Sequence, residues 1–262
     1  MQEFFQDAIR MKGNEVFVLI HGAWGCAAMW DKVEYPLRRL GHKTIAIDLP
    51  GHGFDFADIS MQDTNTYTKK VKDVINQLED PVILVGHSMG GSVISSVAEE
   101  LPAKVKKIVY CAAFLLQSGE SGNGMDGNGI QPVDWYQFSS DGKSVSWKEY
   151  MSQNPASGPS ARYISAEDAG VEEIYTGGAA ESIAALYGKV FLTEKAWGSI
   201  PRYYIHTTKD QAITPDLQQK MLENLPCKKV YRIDSDHFPQ VAAPMELAMI
   251  LHDISRDYKQ SF

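Results

Sequence analysis

Ser88 stands between two glycines in Gly86-His87-Ser88-Met89-Gly90, the G-x-S-x-G spacing of a nucleophile held on a sharp strand-to-helix turn. The apolar run Pro81-Val82-Ile83-Leu84-Val85 before it reads as a strand, and Val93, Ile94, Val97 and Leu101 recur at helical spacing after it. A residue at such a turn takes strained backbone angles, so the positions two before and two after it must lack a Cβ where strand and helix meet. The implied chemistry is attack of a serine hydroxyl on a carbonyl carbon. The start of the following helix would aim backbone N–H groups at the negative charge that forms.

A serine hydroxyl is a weak nucleophile near neutral pH and needs an adjacent base, itself oriented by a third group. Of the seven histidines, only His237 follows the last expected strand, Lys229 to Ile233, in a short loop at the edge where Ser88 would emerge. It is therefore expected to act as general base and acid. His21, His42, His52, His87, His206 and His252 are read as structural, with His87 turned away from the serine oxygen and His21 supporting the loop that follows the first strand. The orienting carboxylate should also end a strand, and Asp210 does so after Arg202-Tyr203-Tyr204-Ile205-His206. Asp234 and Asp236 are alternatives nearer in sequence, but neighbours of His237 cannot easily fold back to its far ring nitrogen. For the oxyanion, the Met89 N–H directly after the nucleophile and the Ala23 N–H in the loop after the first strand are the expected donors. Gly22 and Gly25 would let that loop approach closely.

These residues need a scaffold that brings strand ends together. Glu15 to Ile20, Lys43 to Ile47, the elbow strand, Val105 to Cys111, Arg202 to His206 and Lys229 to Ile233 read as strands. Helical patterns alternate with them over Ala27 to Leu40, Thr66 to Leu78, the elbow helix, a segment opened by Thr214-Pro215, and Pro244 to Arg256. That alternation predicts an α/β fold, a mostly parallel sheet with helices on both faces, whose ligands bind at the carboxyl ends of the strands. The alternation breaks between about residues 114 and 199, where glycines (Gly119, Gly122, Gly124, Gly127, Gly129) and then aromatics accumulate. Residues 1–113 and 200–262 are expected to form the core, and 114–199 an inserted, largely helical cap over the sheet edge. Trp24, Trp135, Tyr136 and Phe238 are expected as walls of the substrate pocket, although most of the cap's aromatics should form its own core.

Composition narrows the partners. The chain has 262 residues, 44% apolar and 22% charged, and a formal charge of −8, which fits a soluble globular protein and opposes binding to nucleic acid or an anionic membrane. Lys104, Lys106 and Lys107 form the one modest basic cluster and read as a solvated loop face. No apolar run approaches the ~20 residues that span a bilayer, and the first ten residues lack the order of a signal peptide. Cys26, Cys111 and Cys227 are too few and scattered for a disulfide framework or a zinc site. A reduced, cytoplasmic monomer or homodimer with no metal or cofactor is expected.

As a set, His21-Gly22-Ala23-Trp24, Asp48-Leu49-Pro50-Gly51-His52-Gly53, Gly86-His87-Ser88-Met89-Gly90-Gly91, Thr208-Lys209-Asp210 and Asp236-His237-Phe238 resemble the landmarks of an α/β-hydrolase, in order. The nearest branch is that of the methylesterases and hydroxynitrile lyases, and the likeness covers about residues 15–114 and 190–256. The resemblance implies a serine hydrolase cleaving a carboxylic ester of a small or medium, partly apolar substrate through Ser88, His237 and Asp210 and an acyl-enzyme. Cyanogenic lyases of the rubber-tree and cassava type carry threonine directly after the first-strand histidine and lysine directly after the catalytic histidine. Gly22 and Phe238 occupy those places here, which favours an esterase. The alternatives on the same site are a cofactor-free lyase, a C–C hydrolase or a thioesterase. A small-molecule receptor with vestigial hydrolase activity is a further rival.

Overall fold

Six runs rich in β-branched and aromatic residues line up side by side. The computed structural model describes residues 15–122, 136–147 and 180–257. Its main sheet consists of β1 (Val16–Ile20), β2 (Lys43–Ile47), β3 (Val82–His87), β4 (Val105–Cys111), β8 (Arg202–Thr207) and β9 (Lys229–Ile233), in the order β2-β1-β3-β4-β8-β9. Every neighbouring pair is parallel. Strands buried on both faces carry continuous apolar runs, and β1 illustrates it. Val18 and Ile20 enter one core with Leu84, Val93, Ile94 and Tyr110, while Phe17 and Leu19 enter the other with Trp30, Leu37 and Leu251.

Helix α1 (Asp31–Arg39) follows a 3₁₀ turn over Ala27–Trp30, so the expected Ala27–Leu40 helix begins as a tighter coil. Helix α2 runs over Thr64–Asn76 instead of Thr66–Leu78. Asp63 caps it by accepting from Thr66 N at 2.8 Å while Thr66 Oγ1 accepts from Asp63 N at 2.9 Å, a reciprocal box that puts Thr66 inside the first turn. Helix α3 (Gly90–Glu100) follows the elbow. Near the end of the chain come α5 (Pro215–Asn224), opened by Thr214 and Pro215 as expected, α6 (Pro239–Ala242) and α7 (Pro244–Arg256).

The described part of residues 114–199 holds strands as well as helix. There a three-stranded antiparallel sheet forms from β5 (Tyr136–Phe138), β6 (Ser144–Trp147) and β7 (Glu181–Ser182), followed by a short α-helix, α4 (Ile183–Leu186), and a 3₁₀ turn over Trp197–Ser199. Asp141-Gly142 supplies the hairpin turn, with Gly142 at φ +67, a conformation that glycine adopts at low cost. Trp135 and the glycines Gly124, Gly127 and Gly129 lie outside the described residues.

The basic cluster also differs. Lys107 is on β4, is buried, and its Nζ donates to the carbonyls of Ile254 and Ser255 at 2.6 and 2.9 Å, capping the end of α7. Lys106 pairs with Glu15 at 2.6 Å and Lys104 donates to Leu78 O at 2.7 Å. All three lysines therefore tie elements together. Cys26, Cys111 and Cys227 form no disulfide, and Cys111 is wholly buried in β4. Among the described residues no helix is long and apolar enough to cross a membrane.

Candidate active site

β3 ends at His87, and Ser88 sits at φ +53, a left-handed conformation that costs a side-chain-bearing residue energy. The surroundings hold it there. Ser88 N donates to Cys111 O at 3.4 Å, and Ser88 O accepts from Gly91 N at 3.0 Å and Phe114 N at 3.1 Å. A Cβ on Gly86 would lie 2.7 Å from Gly90 O, and one on Gly90 would lie 2.7 Å from His21 O, so neither glycine can be replaced without a shift. The sequence expectation for the elbow thus has a steric cause on both sides.

His237 reaches the serine from the loop after β9. Its Nε2 lies 2.9 Å from Ser88 Oγ and its Nδ1 lies 2.8 Å from Asp210 Oδ2. Asp210 is 3% exposed, which demands that its oxygens be satisfied. Oδ1 accepts from Ala212 N and Ile213 N at 2.8 and 2.9 Å, and Oδ2 also accepts from Thr207 Oγ1 at 3.0 Å and Gln218 Nε2 at 3.3 Å. These donors hold the carboxylate in place and aim it at the imidazole. Asp234 instead pairs with Lys209 and Thr208 at the surface, and Asp236 accepts from Phe238 N. Gln218, fully buried on α5, was not singled out in the sequence. A polar residue among Leu217, Met221 and Leu222 was its only signal.

His87 bonds the catalytic loop and makes no hydrogen bond to Ser88. Its Nε2 donates to the backbone carbonyl of His237 at 2.7 Å, and the two rings lie 4.7 Å apart. Burial, reinforced by His237, holds its pKa well below the usual value, so it is a neutral strut under the catalytic loop. Phe238 packs its ring on His237 and His87 at 5.1 and 5.2 Å, and also meets the Met29 and Val241 cluster. These contacts support the imidazole from that side.

The loop after β1 lies beside the serine. A Cβ built on Gly22 would be 2.7 Å from Ser88 Cβ. The Gly22–Ala23 peptide, whose N–H is the expected oxyanion donor, is held by its carbonyl: Gly22 O accepts from His21 Nδ1 at 2.7 Å and from Gly25 N at 3.2 Å. His21 Nε2 accepts from Leu49 N at 3.1 Å, which sets the tautomer, and burial lowers its pKa to about 3, keeping the ring neutral. Met89 opens α3 directly after Ser88, so its N–H lies at a helix start, where anionic charge is favoured. Trp24, at φ +59, stacks on Tyr136 with ring centres 5.8 Å apart and donates its indole N–H to Val145 O at 2.9 Å. These two expected pocket aromatics are brought together at the joint between core and insertion; Trp135 lies outside the described residues.

Glu181 is a buried acid that the sequence reading missed. It is 0% exposed and forms an ion pair with His52 at 3.1 Å. Burial opposes charging of both groups, but their mutual attraction and hydrogen bond outweigh it, raising the His52 pKa and lowering that of Glu181. Among the described residues no group of three or more His, Cys, Asp or Glu is arranged to hold a metal ion.

The model of the alpha/beta hydrolase family matches residues 17–249. Methylesterase 7 of Arabidopsis thaliana is 30% identical over 263 residues, covering 92% of this chain and 96% of its own. An alpha-hydroxynitrile lyase of the same plant is 29% identical, covering 95% and 100%. The crystal structure of a pyrethroid hydrolase from Sphingobium faniae JZ-2 superposes with a TM-score of 0.78 at 26% identity, covering 93% of this chain and 98% of that one.

Proposed function

The chain belongs to the alpha/beta hydrolase family, in its methylesterase-like branch, and from that premise we propose that it is a serine hydrolase of carboxylic esters. The carrying observation is the unbroken line Ser88 Oγ, His237 Nε2, His237 Nδ1, Asp210 Oδ2, with contacts of 2.9 and 2.8 Å. Ser88 Oγ attacks the ester carbonyl as His237 Nε2 takes its proton, and Asp210 holds the tautomer and balances the imidazolium. The Ala23 and Met89 N–H groups receive the oxyanion, each such donor contributing about 3 kcal/mol to transition-state stabilisation. Collapse breaks the C–O bond, and His237 returns its proton to the leaving alkoxide. Water deprotonated by His237 then attacks the acyl-serine and releases the acid and Ser88.

Relatives named as methylesterases and a pyrethroid hydrolase support an ester as substrate. The stacked Trp24 and Tyr136 at the joint with the insertion support an apolar portion in that ester. In this reading residues 114–199 form the cap over the site. Three scattered cysteines, too few for a disulfide framework, support a reduced compartment such as the cytoplasm. A panel of p-nitrophenyl esters of graded acyl length tests the reading on wild type and Ser88→Ala. Hydrolysis of short chains that vanishes in the variant is expected, and equal rates from both proteins would remove the proposal.

The relative named as an alpha-hydroxynitrile lyase makes cyanohydrin cleavage the second reading. Gly22 and Phe238 oppose the rubber-tree form of that chemistry, since no Cβ fits at 22 and residue 238 supplies no cation. Aldehyde released from mandelonitrile faster than acid from any ester would favour it.

A further inference from the structure

A carboxylate with no solvent exposure is costly unless its lone pairs are filled. Glu181 meets that demand with four donors. Oε1 accepts from Tyr67 OH at 2.7 Å and Ser182 N at 2.8 Å, and Oε2 accepts from His52 Nε2 at 3.1 Å and Trp24 N at 3.2 Å. Three of the four come from outside its own strand: from the loop after β1, the loop after β2, and α2. Through this side chain the insertion reaches into the core.

Its contact with Trp24 falls one residue after the expected oxyanion donor. The Gly22–Ala23 peptide is fixed on one side by His21 and Gly25. On the other side the next amide is fixed by Glu181, and Trp24 is the strained residue of the turn. Val145, which takes the Trp24 indole N–H, is the register partner of Glu181 between β6 and β7. Two paired residues of the insertion thus grip the backbone and the ring of one loop residue. His52 packs on His21 with ring centres 5.0 Å apart, so the ion pair also backs the histidine that holds Gly22 O.

We propose that Glu181 is a positioning residue for the oxyanion hole, clamping the strained turn at Trp24 so that the Ala23 N–H stays aimed at the carbonyl oxygen above Ser88. This rests on the serine-hydrolase reading. A clamp of this kind acts on the transition state more than on ground-state binding, because the developing oxyanion is what the amide must meet. It also makes the oxyanion hole depend on the insertion being docked.

The test compares Glu181→Ala, Glu181→Gln and Tyr67→Phe with wild type on p-nitrophenyl acetate, with thermal unfolding and inhibition by a trifluoromethyl ketone as further readouts. The ketone's Ser88 adduct places its oxygen where the oxyanion sits. Glu181→Ala should lose about 10-fold or more in kcat with KM within about twofold, and the ketone Ki should rise by about the same factor. Glu181→Gln, which retains an acceptor for Trp24 N, should recover most of kcat. Tyr67→Phe removes a donor from the oxygen that does not touch the loop; it should lower the unfolding temperature while leaving kcat unchanged. Unchanged kcat in Glu181→Ala, a kcat loss without the Ki rise, or an equal kcat loss in Tyr67→Phe would each overturn the inference. If Glu181→Ala does not fold, Glu181→Asp, which keeps the charge and withdraws the oxygens by one methylene, must show the same split. An active Ser88→Ala would sink the parent reading, whereas an inactive Ser88→Ala beside a fully active Glu181→Ala would sink only this inference.

Discussion

Gly22 lies so close to Ser88 that a Cβ built on it would come within 2.7 Å of the serine Cβ and 3.0 Å of His87 Nδ1. Gly22→Ala must therefore displace either the oxyanion loop or the nucleophile. Displacements of about 1 Å at such a centre can cost about 100-fold in rate. A fall of that order in kcat on p-nitrophenyl acetate, with the folded state retained by circular dichroism, is expected; unchanged kcat would mean the loop has slack that this geometry denies. Gly22→Thr, which restores the residue of rubber-tree-type lyases, should be at least as damaging and should gain no cyanohydrin cleavage.

Asp210→Asn should cost about 10³- to 10⁴-fold in kcat, the scale seen when a triad carboxylate elsewhere is made an amide and the imidazole tautomer is lost. Asp234→Asn and Asp236→Asn should retain activity within a few fold, since Asp234 is engaged with Lys209 and Asp236 with Phe238 N. Steady-state kinetics of the three variants decides which acid orients His237.

His87→Phe leaves the His237 carbonyl without its 2.7 Å donor. An unsatisfied buried carbonyl costs about 1–3 kcal/mol, so the unfolding free energy should fall by about that amount. The loop carrying His237 should also loosen, lowering kcat about 10-fold if as much as 1.4 kcal/mol falls on the transition state. Full activity and stability in this variant would show that the strut is dispensable.

Acid should destabilise the fold well above the range of ordinary carboxylates. His21 and His42 are held down to about 3 and about 4, His21 by burial and the neighbouring His52, His42 by burial and the facing His252. An unfolded chain binds protons at these sites near pH 6.5 while the folded chain does not. Stability is therefore present above about pH 6.5 and declines as pH falls toward those values, by about 1.4 kcal/mol per unit for fully buried His21. His52, whose folded pKa is raised by Glu181 against its burial, works in the opposite sense. Urea midpoints at pH 7 and 5 check the sum: a lower midpoint at pH 5 is expected, and an equal or higher one contradicts it.

Much of this was readable from the chain because the residues concerned are locally determined. The elbow glycines, the Thr214-Pro215 helix start and the two-sided apolar strands each satisfy a short-range constraint, and the main sheet follows from them. Asp210 and His237, 27 positions apart, could be paired because both end strands of a parallel sheet. The insertion was harder. Its described strands are two to four residues long, too short for a period of two to stand out, although Asp141-Gly142 between Phe138 and Val145 is a hairpin signal. Glu181 belongs to no motif. Its partners His52 and Tyr67 lie 129 and 114 positions away, and nothing local distinguishes a buried acid from a solvated one. Lys107 misled for the same reason, its ammonium reaching the end of a helix 147 positions on.

The most direct measurement is the mass of the tryptic peptide bearing Ser88 after acid quench of the protein during turnover of p-nitrophenyl acetate. One acetyl group on Ser88, accumulating in wild type and missing in Ser88→Ala, is the predicted result. Turnover by wild type with Ser88 never acylated, or acetyl transfer found only at another residue, would contradict the account.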